Sequence, residues 1–303
     1  MWLVWGIYVK RRRGSIKQLI LIADMEGASG IFEENRSWNW NGGDDWREHG
    51  RECITSDALA LITAANDFGI DDILLYDGHF AGNPEFNIIL EKLPSIVRVF
   101  DVTDRCFDWR RIRGQAEQNP FGIITFGQHA RFGEENAYFS HIIQSPPIRN
   151  LYWNGRHIAE IGSAVLSFHN VPYLANIGCA ASMREALELS DKIVTIPVKD
   201  IAIGWEPSPQ ETYPIIYDGV MKALRNAENA GRRGSGPGTL EVNDGTHSFS
   251  MELCDGYVFD TSASISWKGI IEKNKAEWDA PSVEIGLELF NYVRGLLREE
   301  VRP

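Results

Sequence analysis

Three short apolar runs in this chain end in the same way. Gln18–Asp24 (QLILIAD), Ile70–His79 (IDDILLYDGH) and Phe121–Ala130 (FGIITFGQHA) are each built of β-branched or apolar residues and release Asp, Glu or His at the exit. An apolar run without polar alternation is what a strand buried on both faces requires, and such strands belong to parallel sheets covered by helices. Between the first two, Trp46–Phe68 carries helical spacing and stops at Gly69, a natural C-cap. The pattern predicts an α/β fold with a mostly parallel central sheet flanked by helices. In open parallel sheets ligands bind outside the carboxyl ends of the strands, so the three polar exits are expected to converge.

The remaining chain extends this alternation. Leu151–Ile158 (LYWNGRHI) reads as a hairpin around Asn154-Gly155, a type I′ turn signal. Glu160–His169 looks helical, Val171–Gly178 strand-like, Ala180–Leu189 helical, Ile193–Val198 strand-like and Gln210–Ala230 a long helix. GRRGSGPG (Gly231–Gly238) reads as a flexible linker, because its glycines neither follow a strand nor open a helix as a phosphate loop must. Thr239–Ser266 alternates like strands, and Ser282–Glu299 reads as an amphipathic terminal helix. The expected organisation is a disordered extension over 1–16, an α/β core over 17–230, a linker over 231–238, and a smaller β-containing C-terminal portion over 239–303 that completes the fold.

Composition narrows the partners. The 303 residues carry a formal charge of −12, which disfavours nucleic acid. Cys53, Cys106, Cys179 and Cys254 are widely spaced and form no CxxC pair, which points to a reducing, cytoplasmic compartment rather than a disulfide scaffold. Met1–Val9 is apolar, but the basic residues Lys10 to Arg13 follow it, the reverse of a signal peptide. Nothing in the chain approaches the roughly 20 apolar residues that span a bilayer, so no membrane partner is expected.

The polar exits suggest a metal. Asp24 and Glu26 stand at i and i+2, which in a strand sends both side chains to one face, where two carboxylates repel unless a cation sits between them. Gly27 to Gly30 would let the backbone turn closely around it. Asp77 and His79 end the second run and His129 the third. Each alone reads as a solvated or capping residue; together, mixed carboxylate and imidazole ligands suit zinc or a similar divalent ion, and one shared carboxylate can bridge two ions.

In sequence order DMEGASG (Asp24–Gly30), YDGH (Tyr76–His79), GQHAR (Gly127–Arg131), FSHII (Phe139–Ile143) and NGRHIAEIG (Asn154–Gly162) resemble the M55 metallopeptidases, the D-aminopeptidase family, from about Gln18 to Leu296. The resemblance implies an α/β core with two zinc ions per chain, held by Asp24 as bridging carboxylate, Glu26, His79, His129 and Glu160, although other divalent metals suit the same ligands. It assigns His141 as the catalytic histidine, whereas from its apolar, strand-like surroundings Tyr138–Ser145 alone it reads as a core residue. It further implies hydrolysis of the N-terminal, D-configured residue of short peptides, and a ring-like homo-oligomer. A dinuclear amidohydrolase on a non-peptide amide, or a non-catalytic metal-bound ring protein, are the alternatives.

The other histidines are read as structural. His157 forms HxxE with Glu160, but the family pattern requires no histidine there, and it is expected to be a surface side chain after the hairpin. His169 belongs to a helix end, and His49 and His247 fall in polar segments. Cys179 has no cationic neighbour in sequence to activate it and reads as a buried thiol.

Overall fold

The computed structural model describes residues 17–32, 43–79, 86–100, 113–117, 119–143, 147–231, 238–263 and 268–300. The expected extension over 1–16, the interior of the linker and Cys106 lie outside the described residues.

Six parallel strands form the central sheet: β1 (Gln18–Ala23), β2 (Asp72–Asp77), β3 (Val97–Val99), β4 (Gly122–Gln128), β7 (Tyr173–Cys179) and β8 (Val194–Lys199), in the order β3-β2-β1-β4-β7-β8. The three apolar runs are therefore the three adjacent central strands. After β1 the chain builds outward through β2 and β3, and then returns to the other side of β1 with β4. The strand order thus reverses between β1 and β4, the place where an open α/β sheet leaves a crevice at its carboxyl ends.

Alternation along β1 divides the core. Leu19 and Leu21 face α1 (Arg51–Phe68) and the long helix α4 (Pro209–Gly231), where Ile54, Leu61, Ile216, Val220 and Leu224 are buried. Ile20 and Ile22 face the opposite layer. α1 continues a six-residue π-helical turn, Asp45–Gly50, and ends at Gly69 with φ 93°, a left-handed cap.

The second layer contains a five-stranded antiparallel sheet. The hairpin β5 (Ile148–Trp153) and β6 (Arg156–His157) turns through Asn154 and Gly155, at φ 48° and 75°, as type I′ geometry demands. Onto β5 pack β9 (His247–Leu253), then β12 (Lys275–Ala280) and β11 (Gly269–Ile271). Helices α2 (Ala159–Ser167) and α5 (Val283–Gly295) lie between the layers, with Ile161, Val165, Leu287 and Phe290 in one cluster with Phe249 and Trp278. α3 (Ala180–Leu189) follows β7 directly.

The terminal helix is shorter than expected. It starts where expected, with Ser282 as its cap, but stops at Gly295, and Leu297–Glu299 forms β13, antiparallel to β10 (Tyr257–Phe259). An edge strand with unpaired backbone groups competes here with helix continuation, a long-range choice that helical spacing does not reveal. Among the described residues no helix is long and apolar enough to cross a membrane.

Candidate metal centre

The carboxyl ends of β1, β2 and β4 meet as the sequence suggests. Asp24 and Glu26 follow β1, His79 follows β2 and His129 follows β4, and all four are buried. Glu160 arrives in the first turn of α2, where the helix N-terminus favours a carboxylate. Glu26 is not in the strand: β1 ends at Ala23 and residues 25–30 form a tight turn. The two carboxylates share a site because the backbone curls around it, rather than through strand alternation.

The distances close a cluster. His79 Nε2 donates to Glu26 Oε1 at 3.1 Å. His129 Nε2 lies 3.3 Å from Asp24 Oδ2 and 3.4 Å from Glu160 Oε2, while its Nδ1 donates to the Ala130 carbonyl at 2.9 Å. Ligand atoms of Asp24, Glu26 and His129, and separately of His129, His141 and Glu160, lie within 4.8 Å of one another.

The electrostatics call for a cation. Burial raises both carboxyls of the turn. At Asp24 the charges of Glu26 and Glu160 add to this and its pKa rises well above the usual range; at Glu26 the His79 imidazole reverses it and the pKa falls well below. Burial pushes His79 and His129 down, yet the carboxylates outweigh it, leaving His79 at about 9 and His129 well above its usual value. The apo site therefore recruits protons onto its imidazoles to balance the buried acids. Among the described residues Asp24 Oδ2, Glu26 Oε2 and His129 Nε2 are buried without a hydrogen bond, a costly state that coordination would relieve. The donor set and these orphaned atoms fit a divalent metal, whose binding displaces such protons.

Glu160 and His141 form the open side, with side chains 23% and 14% exposed. His141 does not lie in a strand. Its segment 129–143 is irregular, because Phe139 and Ile143 sit at φ 52° and 53°, left-handed values that interrupt any extended run. These two unusual positions have partners in the site. The Phe139 carbonyl accepts from His141 Nδ1 at 2.6 Å, and the Ile143 N–H donates to Glu160 Oε2 at 2.8 Å. Strained backbone of this kind costs about 1–3 kcal/mol per residue and persists where surrounding contacts impose it.

Asp77 takes no part in the cluster, although it stands at a strand exit. Its carboxylate accepts from the Asn87 N–H at 2.7 Å, the Asn87 amide at 2.9 Å and the Ile88 N–H at 3.2 Å. Asn87 in turn donates to the His79 carbonyl and accepts from Trp46 Nε1 at 3.1 Å. This buried amide steadies the turn that carries His79, and nothing in the sequence around Asn87 marks it.

The close approach of strand ends depends on glycine. A Cβ at Gly27 or at Gly178 would fall 1.9 Å or 2.0 Å from the Gln128 carbonyl oxygen, so the peptide leading into His129 is held between two residues that must lack side chains. Gly127, at φ 68°, similarly lies against the Asp24 carbonyl.

The histidines read as structural stay out of the cluster. His157 is half-buried against Tyr152 rather than a surface side chain, with ring centroids 4.9 Å apart. His169 closes the turn after α2 beside Arg113, His247 begins β9, and His49 contacts the Gly30 carbonyl at 2.9 Å. Cys179 is buried as expected, but a cation does neighbour it: Lys199 is its partner in the β7–β8 ladder. Lys199 ends an apolar run as Asp24 and His129 do, a signal present in the sequence that stopping that strand at Val198 passes over.

Comparison with known proteins agrees with this architecture. A structure described as the Zn-dependent D-aminopeptidase DppA from Bacillus subtilis, a self-compartmentalizing protease, is similar with a TM-score of 0.75 at 22% identity, covering 92% of this chain and 97% of that one. The curated protein sequences give no match. The family model for peptidase M55, D-aminopeptidase, matches residues 18–255. The chain belongs to that D-aminopeptidase family, and with it to the metallo-aminopeptidase hydrolases.

Proposed function

We propose that this chain is a zinc-dependent aminopeptidase that releases the N-terminal, D-configured residue of short peptides through a dinuclear site. The observation that supports the reading is the cluster itself: Asp24, Glu26, His79, His129 and Glu160 converge from three strand exits and one helix start, with three buried polar atoms left without a hydrogen bond among the described residues. Asp24, Glu26 and His79 would hold one ion, and Asp24, His129 and Glu160 the other, with Asp24 common to both. Such a pair supplies Lewis acidity toward the scissile carbonyl and acidifies water.

His141 faces the same space from the open side. Its pKa is lowered, by burial first and by the charge of His129 second, so the ring stays neutral at physiological pH. With Nδ1–H committed to the Phe139 carbonyl, the lone pair sits on Nε2, 3.9 Å from Glu26 Oε1. A neutral imidazole held in one tautomer is suited to take a proton or attack at Nε2.

Release of free amino acid from D-Ala-D-Ala, with and without chelator, tests the reading, run beside L-peptides, aminoacyl amides and N-acyl compounds. Chelator-sensitive cleavage of the D-peptide supports it. Turnover confined to non-peptide amides would instead identify an amidohydrolase, and no turnover at full zinc content a non-catalytic protein. The self-compartmentalizing assembly of the structural neighbour further supports a ring-like homo-oligomer. Light scattering should then find a species several-fold heavier than 34.2 kDa, and a monomer at micromolar concentration would contradict it.

A further inference from the structure

Lys199 is completely buried at the exit of β8. Its ammonium donates to the Glu26 carbonyl at 2.7 Å and to the Ile31 carbonyl, the two ends of the turn that carries Asp24 and Glu26 into the cluster. Two aromatic rings also flank it: Nζ lies 4.7 Å from the Tyr138 ring centroid and 5.5 Å from that of Phe32. Tyr138 is itself buried, its hydroxyl donates to Glu206 at 2.7 Å, and it directly precedes Phe139, whose carbonyl fixes His141. One side chain therefore touches both the turn that bears two carboxylates and the segment that bears His141.

An ammonium placed among carbonyls and ring faces gives up its hydration, and an apolar side chain of similar length would fill the same volume without that penalty. What Met or Leu could not do is hold two carbonyls. Other contacts on the turn act at single points: Gly27 N–H donates to the Gly127 carbonyl, and Ser29 N–H to Asp57. Lys199 spans the turn from residue 26 to residue 31.

We propose that Lys199 is a positioning residue of the metal centre, which sets the backbone origin of Glu26 through its buried ammonium and ties that turn to the His141 segment across the Tyr138 ring. This rests on the dinuclear reading, in which Glu26 serves one ion and not the other. Lys199 should therefore govern one zinc site selectively.

The test is zinc binding by chelator competition on the full chain, wild type beside Lys199→Met, with the thermal midpoint of each apo protein. Wild type should hold two zinc ions. In Lys199→Met one of them should bind about 10–100-fold more weakly, the usual effect of removing a group that orients a ligand, while the other is unchanged. The apo midpoint should move little, since the loss of two carbonyl hydrogen bonds is offset by removal of a buried charge. Lys199→Arg, which keeps charge and donors, should restore most of the lost affinity. If Lys199→Met does not fold, Lys199→Gln, with one donor left, should show the same one-site loss at smaller amplitude. Equal weakening of both sites with a lower midpoint would reduce Lys199 to general support and overturn the proposal. Unchanged or tighter zinc binding would overturn it as well. A wild type that holds no zinc would overturn the dinuclear reading and this inference together, whereas two zinc ions held alike by wild type and variant would overturn this inference alone.

Discussion

His141 stacks on His129 with ring centroids 4.0 Å apart and planes 10° from parallel. Stacked rings at this distance resist carrying two positive charges, and the two are unequal: His129 is drawn toward the charged form by Asp24 and Glu160, while His141 is kept neutral by burial and by His129. The pair separates a residue whose Nε2 lies against Asp24 and Glu160 from one whose Nε2, on the proposed reading, would serve the reaction. His141→Ala should therefore retain zinc and oligomeric state, and lose about 10²-fold or more in kcat, the scale of a positioned acid–base group. Metal content, thermal midpoint and kcat measured on one preparation decide it. A fully active, zinc-replete variant would remove His141 from the mechanism.

Asp24 is the carboxylate assigned to both ions. Asp24→Ala should lose both, and elemental analysis at full metal content would sink the bridging assignment. Because burial and two neighbouring carboxylates already penalise the charged form of Asp24, the apo variant should fold at least as stably as apo wild type.

The Gln128 peptide leaves no room for side chains at its flanks. Gly178→Ala places a methyl group 2.0 Å from the Gln128 oxygen, so strand β7 or the His129 approach must shift. A loss of about 1–3 kcal/mol is expected from denaturant unfolding, as for other overpacked sites, together with weaker zinc binding. A variant with wild-type stability and zinc affinity would show that this approach is not tight.

His157 should give the protein a pH dependence separate from that of the carboxylate cluster. Burial, and then the charge of Arg131, push its pKa down from 6.5 to about 4. The unfolded chain therefore binds more protons than the folded one between these values. The stabilisation is complete above about pH 6.5 and is lost as the pH falls toward 4. His157→Phe, which keeps a ring against Tyr152, should flatten this part of the stability curve in apo protein. An unchanged slope between pH 4 and 6.5 would rule out His157 as its source.

Five of the six strands of the parallel sheet are legible in the sequence because their information is local; the short edge strand β3, Val97–Val99, carries no such run and escapes that reading. An unbroken apolar run such as Leu19–Ile22 has no solvated face to offer, and a polar residue at its end can only leave at the sheet edge, which is why Asp24, His79 and His129 were visible as a set. Hairpin geometry at Asn154-Gly155 and the cap at Gly69 were legible for the same reason, since φ > 0 is a property of the residue. Glu160 and His141 were accessible only through resemblance. One sits in a helix start and the other in a loop, with no periodicity that relates either to the strand exits.

Most of the parallel core and the three polar exits are already written in the sequence, because burial on two faces and steric freedom of the backbone are encoded residue by residue. The packed fold is what turns Asp77 away to Asn87, brings Glu26 to the cluster from a turn, draws Leu297–Glu299 out of the last helix to pair with Tyr257–Phe259, and sets Lys199 against the turn of residues 25–30. Each of these is a choice between partners far apart in the chain. Such a choice is settled by which buried polar group is left to be satisfied once the strands have packed, and that is a property of the assembled core.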